Sequence, residues 1–350
     1  MATTPLRYLV KPRWFKLKVK RALLSTVLVF LTVLLAHGQE LKRFAFDQRH
    51  MGTQFRIVFY ASETSLAQQA ANQAFAEIDR LNTIFSDYDP NSELSQLTTK
   101  SEDQEWIPVS QDLWIVLRQA QRIAKKSGGA FDITVGPLSK LWRRAFRQGE
   151  FPKQSRIKAA RERVAFRKLK VSKSEPKVKL RKPGMRLDAG GIAKGYALDK
   201  AMEILQSLGI HQALIDGGGD ILVSGPPPGK LGWSFRTQVV NHQQELEAVN
   251  LFFSNCAVAT SGDSYRYLEW EGQRYSHIID PRTGLGVSHG AMVSVQAPTG
   301  LLADALASTL SILPVKKGRR LIQRLENCFA RIILPKQEHY IQFGNLNSKK

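Results

Sequence analysis

Residues 195–223 read GYALDKAMEILQSLGIHQALIDGGGDILV, and this stretch decides the fold. From Gly195 to Leu208 the apolar residues recur at helical spacing, which predicts an amphipathic helix. Ala213–Ile215 and Ile221–Val223 then read as strands, with Gly217, Gly218 and Gly219 between them. Two strands so close in sequence leave no room for a crossover helix, so a regular βαβ alternation is excluded here.

Working outward, the same mixture continues. Met51–Tyr60 alternates as a strand, and Ser65–Phe85 repeats Leu66, Ala70, Ala74, Ile78, Leu81 and Phe85 at helical spacing. Residues 86–98 are polar and turn-rich around Asp89-Pro90-Asn91-Ser92. A helix is expected over Ser110–Ser127, stopped by Gly128-Gly129, and a helical segment near Lys153–Arg163. A hairpin follows, with strands at Lys168–Ser172 and Lys177–Arg181. Beyond residue 223, strands are expected at Trp233–Val240, Asn250–Thr260 and Ala291–Val295. Helices at Ala303–Leu313 and Gly318–Leu325 and a closing strand pair complete the chain. The expected fold class is α+β: mixed, largely antiparallel sheets layered with helices.

The 350 residues are 43% apolar and 23% charged with two cysteines, which excludes a disordered, collagen-like or disulfide-framed protein. Cys256 and Cys328 read as buried free thiols, with a disulfide between them as the alternative that an exported compartment would permit, and no Cys/His spacing suits zinc. The formal charge of +21 would suit nucleic acid, but its distribution argues against that partner. Residues 1–38 hold seven basic residues and no acid, and residues 140–186 hold eighteen against Glu150, Glu162 and Glu175. The rest of the chain is close to neutral, including its glycine-rich and acidic motifs. Ala22–Ala36 carries no charge and follows the first basic run, which is the pattern of a signal peptide or a signal anchor. The expected organisation is a leader over residues 1–38 and one body over 39–350, with a basic insert at about 140–186. That places the body in the periplasm or on the extracytoplasmic face of the inner membrane, with the N-terminal segment as its means of membrane association.

Chemistry concentrates in four places. Asp188-Ala189-Gly190-Gly191-Ile192-Ala193-Lys194-Gly195 opens a helix with glycines and a lysine, which suits phosphate oxygens or makes a plain turn. Asp216-Gly217-Gly218-Gly219-Asp220 allows close backbone approach of a ligand or a tight turn between strands. In His277-Ile278-Ile279-Asp280-Pro281-Arg282-Thr283-Gly284 a histidine and a carboxylate stand three apart, suited to proton transfer or to a surface turn. Asp304 and Ser308 stand four apart on a small, apolar helix, so both oxygens share one face. The pair suits Mg²⁺, unless Asp304 merely caps the helix.

Taken in order, these segments resemble the ApbE family of FAD:protein FMN transferases. The resemblance also includes Met51-Gly52-Thr53, residues 85–95, Gly129–Pro137, and Ala259-Thr260-Ser261-Gly262-Asp263 with Tyr265, and it covers nearly all of residues 51–315. It implies a T-fold-like architecture and a reaction in which a Ser or Thr hydroxyl of an acceptor protein attacks the pyrophosphate of FAD. AMP leaves and FMN stays as a phosphoester. It implies Met51, Tyr88, Ala130, Phe131, Asp132, Asp188, Lys194 and Ile278 as FAD contacts. Gly191, Asp304 and Ser308 are implied as ligands of Mg²⁺, with Ser308 standing where the family usually has Thr. His277 is the candidate base or positioner, Asp280 its support, and Arg282 shapes the turn. The implied partner is a flavoprotein subunit of an electron-transfer complex or a small FMN-binding domain. Two other activities share these residues: hydrolysis of FAD to FMN and AMP, and FAD binding without turnover.

Overall fold

Alternation along one strand sets up two faces. In β2 (Thr53–Ala61), Phe55, Ile57, Phe59 and Ala61 enter the main core while Val58 enters a smaller cluster behind the sheet. The computed structural model describes residues 40–99, 105–240, 246–262, 267–335 and 340–344. The expected leader, with Asp263 and Tyr265, lies outside the described residues. Contacts divide the chain at residue 42, and everything below concerns the unit from Arg43 onward.

Eight strands form the main sheet. Their order is β1 (Lys42–His50), β2, β6 (Ala213–Gly217), β7 (Asp220–Val223), β10 (Cys256–Ser261), β13 (Met292–Ala297), β14 (Phe329–Ile333) and β15 (Tyr340–Gly344). From β2 to β15 each pairing is antiparallel, with Ile57 opposite Ile215, Ala259 opposite Val295, and Val295 opposite Ala330. On one face lie α1 (Thr64–Phe85) against β2, α6 (Ala193–Ser207) against β6, and α7 (Gly300–Leu310) against β10 and β13. The α6 helix packs against both of the others. It approaches α7 so closely that a Cβ on Gly195 would stand 2.0 Å from the Gly300 carbonyl oxygen. Val58, Val223 and Cys256 on the other face pack with Trp233 of the hairpin β8 (Trp233–Val240) and β9 (Leu246–Phe253).

Smaller elements wall the end of this sandwich. A three-stranded sheet of β3 (Ile107–Pro108), β5 (Lys177–Leu180) and β4 (Leu169–Val171) packs under α3 (Gln111–Ser127). Beside it come α2 (Glu93–Thr99), α4 (Gly136–Gln148), α5 (Gln154–Arg161) and the hairpin β11 (Tyr267–Trp270) and β12 (Gln273–Ser276). A second core of Leu138, Trp142, Ala145, Ile157, Leu268 and Ile279 joins α4, α5 and that hairpin. The α8 helix (Val315–Ile322) leads to β14.

The α+β expectation holds, and most elements fall within a few residues of their expected bounds. Several features depart from it. The polar run 86–98 contains α2, the basic stretch contains α4, and β1 precedes the first expected strand. Asn250–Thr260 is two strands, because Asn255 turns the chain with a left-handed φ of 50°. Cys256 and Cys328 are buried and free.

Candidate active site

A cavity of about 910 Å³ opens where the α6 N-terminus, α7, α4 and the β1–β2 turn meet. All eight expected flavin contacts line it, as do Gly191, Asp304, Ser308 and His277. Its rim and its floor differ in kind. Tyr88 is 72% exposed at the rim, whereas Asp304 on the floor is 6% exposed.

The floor is built by the α6–α7 crossing. Thr299 caps α7 by accepting from Leu302 N–H, so Asp304 sits a turn inside the helix and is not its cap. Asp304 Oδ2 accepts from the Gly195 N–H at 3.1 Å. Burial, reinforced by the neighbouring Asp220, pushes its carboxyl up to about 7, against the pull of Lys194 and the Gly195 N–H. Lys194 ion-pairs with Asp220. Burial works to lower the lysine pKa, but Asp304 and Asp220, with Asp216, outweigh it and raise it. One ammonium therefore faces several carboxylates. Ser308 is one turn from Asp304, and Gly191 packs so tightly on it that a Cβ there would stand 2.8 Å from Ser308 Oγ.

That donor set is oxygen-only and suits a hard divalent cation. Among the described residues no group of three His, Cys, Asp or Glu could hold a metal. A carboxylate, a hydroxyl and a backbone carbonyl fit an ion such as Mg²⁺, which keeps water and phosphate oxygens in its remaining positions.

A clamp on α4 forms one side wall. Arg143 bonds Asp87 through Nη1 and Asp188 Oδ2 through Nη2 at 3.0 Å, and its guanidinium lies 4.1 Å from the Tyr88 ring centroid. Burial, then the repulsion of Asp188, raises the Asp87 carboxyl pKa against the pull of Arg143. Asp188 Oδ1 accepts from the Gly190 N–H at 2.8 Å, which shapes the glycine turn. Asp132 lines the cavity, yet Oδ1 accepts from Thr134 Oγ1 and N–H while Oδ2 accepts from Phe166 N–H. Both its oxygens are thus engaged in holding the loop.

Residues 51–332 match the profile of the ApbE family. The chain belongs to the ApbE family. A FAD:protein FMN transferase of Treponema pallidum (strain Nichols) is 31% identical over 300 residues, spanning 81% of this chain and 83% of that one. One of Haemophilus influenzae is 29% identical, spanning 87% and 91%. Among solved structures, the ApbE protein of Thermotoga maritima is 28% identical with a TM-score of 0.74, covering 86% of this chain and 97% of that one. The flavin transferase ApbE of Vibrio cholerae superposes with the same TM-score at 24% identity.

Within this ApbE site, two expected catalytic residues stand apart from the cavity. His277 and Ile278 line it, but Asp280 and Arg282 do not. Asp280 Oδ1 accepts from Arg282 N–H and Nε, and Oδ2 from Arg282 Nη2 at 2.7 Å. The pair closes an Asx turn that carries Gly284, whose carbonyl accepts from Trp142 Nε1 at 2.8 Å. Asp280 and Arg282 thus build the turn after His277. Sequence reading missed Arg143, Asp87 and the partnership of Asp220 with Lys194. The triple glycine is a turn, with Gly218 and Gly219 at positive φ, and it also delivers Asp220 to the cavity. Its two readings are compatible.

Proposed function

We propose that this chain transfers FMN from FAD to a Ser or Thr hydroxyl of an acceptor protein and releases AMP. The observation that carries the reading is the single cavity shared by the Asp304, Ser308 and Gly191 donors, the His277 imidazole and the Tyr88 and Phe131 rings. In this reaction the acceptor oxygen forms a bond to the FMN phosphorus as the bond to the bridging pyrophosphate oxygen breaks. The hydroxyl proton is lost, and the pair of electrons leaves with AMP.

Each residue has a part consistent with its surroundings. Tyr88, backed by Arg143, and Phe131 offer aromatic faces to the ring systems of FAD. The glycine turn held by Asp188 presents backbone at the start of α6, where phosphate is favoured. Lys194, fixed by Asp220, supplies positive charge beside it. Asp304, Ser308 and the Gly191 carbonyl would hold Mg²⁺, which when bound draws off charge developing on the leaving phosphate. His277, exposed on the cavity, accepts the hydroxyl proton or positions the hydroxyl. The acceptor is a flavoprotein subunit of an electron-transfer complex or a small FMN-binding domain. The seven basic residues and uncharged run of residues 1–38 support export of the body to the periplasm, with the leader either cleaved or kept as an anchor.

The test is to incubate the protein with FAD, Mg²⁺ and a purified FMN-binding domain, and to read flavin fluorescence of the acceptor on a denaturing gel. Transfer gives a fluorescent acceptor band that chelator abolishes. Free FMN and AMP without that band would identify a hydrolase, and unchanged FAD a binding protein.

A further inference from the structure

The α4 helix lines two cavities. Ser139, Trp142, Arg143 and Phe146 line the flavin cavity. Pro137, Lys140, Leu141 and Arg144, offset on the same helix, line a second cavity of about 610 Å³ on its other side. Spacings of three and four residues put each set on its own stripe, so one helix is the common wall. The α5 helix, the end of α2 and the loop at Gly184–Arg186 complete this groove.

Its charge is one-sided. Lys140, Arg144, Arg156, Arg163 and Arg186 line the groove, and among the described residues no Asp or Glu does. The first four are exposed, and none forms an ion pair among the described residues. Arg144 Nε donates only to the neutral Gln148. Arg186 donates through Nη2 to the Asp87 carbonyl, while its buried Nε has no partner. Gly184, at a φ of 70°, gives Arg163 its room, since a Cβ there would stand 3.2 Å from Arg163 Cδ. Between the cations the lining combines apolar Leu141, Ala159, Ala160 and the buried Met185 with the hydroxyl residues Ser95, Thr98 and Thr99.

We propose that this groove docks an acidic segment of the acceptor polypeptide next to the flavin cavity. The proposal rests on the transferase reading above, which requires a protein substrate. Cations spaced along a floor of small apolar and hydroxyl side chains match a chain that carries carboxylates and also has side-chain bulk to bury. A lipid surface is the poorer fit, because these cations line a concavity that a flat bilayer does not enter. A dense run of positive charge lies elsewhere. Arg167, Lys168, Lys170, Lys177, Lys179 and Arg181, on and beside the β4–β5 hairpin, lie outside the groove, and Lys177 is paired with Glu175 at 2.7 Å.

The test uses the full chain and a fluorescein-labelled decapeptide of Asp and Glu, read by anisotropy at low and high salt. Wild type binds with salt-sensitive affinity. The triple variant Arg144→Glu, Arg156→Glu, Arg163→Glu weakens binding at least about tenfold. The triple Lys168→Glu, Lys170→Glu, Lys179→Glu, with the same net charge, stays within about twofold of wild type. Equal loss in both triples means non-specific charge and overturns the proposal, as does no loss in either. Loss of binding to phosphatidylglycerol vesicles in the groove triple, with peptide binding intact, also overturns it in favour of lipid. FAD binding, followed by flavin fluorescence, is unchanged in both triples. If wild type binds the peptide but transfers no FMN, the transferase reading has failed and the groove has not.

Discussion

Asp304 Oδ2 accepts the backbone N–H of Gly195 at 3.1 Å, tying the middle of α7 to the first turn of α6. That bond exists because Gly195 has no side chain: a Cβ there would meet the Gly300 carbonyl oxygen and Asp304 Cβ. The obstacles are helix backbone and a buried side chain, neither of which moves cheaply. Gly195→Ala is therefore expected to cost at least about 1–3 kcal/mol, the range for overpacking a filled core. Urea unfolding measures this, and wild-type stability would show that the two helices are less tightly apposed.

Asp304→Asn keeps the shape of the floor and removes its anionic donor. FMN transfer should fall on the order of 100-fold or more, since metal assistance is worth several kcal/mol and each tenfold is about 1.4 kcal/mol. FAD affinity should change little. Ser308→Ala should lose less, because a hydroxyl is a weaker ligand, and Ser308→Thr should be tolerated. Rates against Mg²⁺ concentration check all three; a wild-type rate in Asp304→Asn at excess chelator would remove the metal from the account.

His277→Asn should reduce the rate at saturating FAD by about 10²-fold or more, the range for a positioned acid–base group, with FAD affinity kept. Single-turnover rates and a fluorescence titration separate the two effects. A collapse of affinity with the saturated rate intact would make His277 a cofactor contact.

Arg143 holds two carboxylates that are 8% and 9% exposed, while it is itself 27% exposed. Arg143→Gln leaves Asp87 and Asp188 facing each other without the cation that joins them, with Arg186 remaining beside Asp87. Removing one partner of a fully buried pair costs roughly 3–5 kcal/mol, discounted here to about 2 kcal/mol for the arginine's exposure. FAD affinity should fall with it, because Asp188 shapes the Gly190 turn. Arg143→Lys should not rescue, since an ammonium cannot fork to both acids. Calorimetric Tm and FAD titration test this, and full rescue by lysine would refute the fork.

A pH effect separate from the site is expected at Asp199, which accepts from Gly300 N–H at 2.6 Å and Leu301 N–H at 2.9 Å. Burial raises its carboxyl to about 6, although those two donors pull it down. The folded state then holds the proton more tightly than the unfolded one. Its stabilisation is present below about pH 4 and is lost as pH rises through about 6, by at most about 3 kcal/mol. The stability difference between wild type and Asp199→Asn should shift against wild type between those pH values. A pH-independent difference in urea unfolding would count against the raised pKa.

What the sequence reveals follows from the range of each signal. The α1, α3 and α6 helices have long periodic faces, and α3 also has a Ser110 cap and a left-handed Gly128, so local chemistry fixes them. The α2 helix is seven residues with Leu94 and Leu97 as its buried anchors, too short for periodicity to register against its polar neighbours. The α4 helix hid inside a basic run, where Arg143, which clamps Asp87 and Asp188, looks no different from the exposed Arg144 and Arg147. Asp304, Ser308 and Gly191 were legible as a group only through the family resemblance, since their meeting depends on the α6–α7 crossing. Asp220 and Lys194 are 26 residues apart, and only the sheet turns one toward the other.

The most direct measurement is the intact mass of an acceptor FMN-binding domain after incubation with this protein, FAD and Mg²⁺, run beside an acceptor whose target hydroxyl residue is changed to Ala. The account predicts a gain equal to FMN less one water on the first acceptor, none on the second, and one AMP released per acceptor modified. FAD consumed to FMN and AMP with no gain in acceptor mass would contradict it.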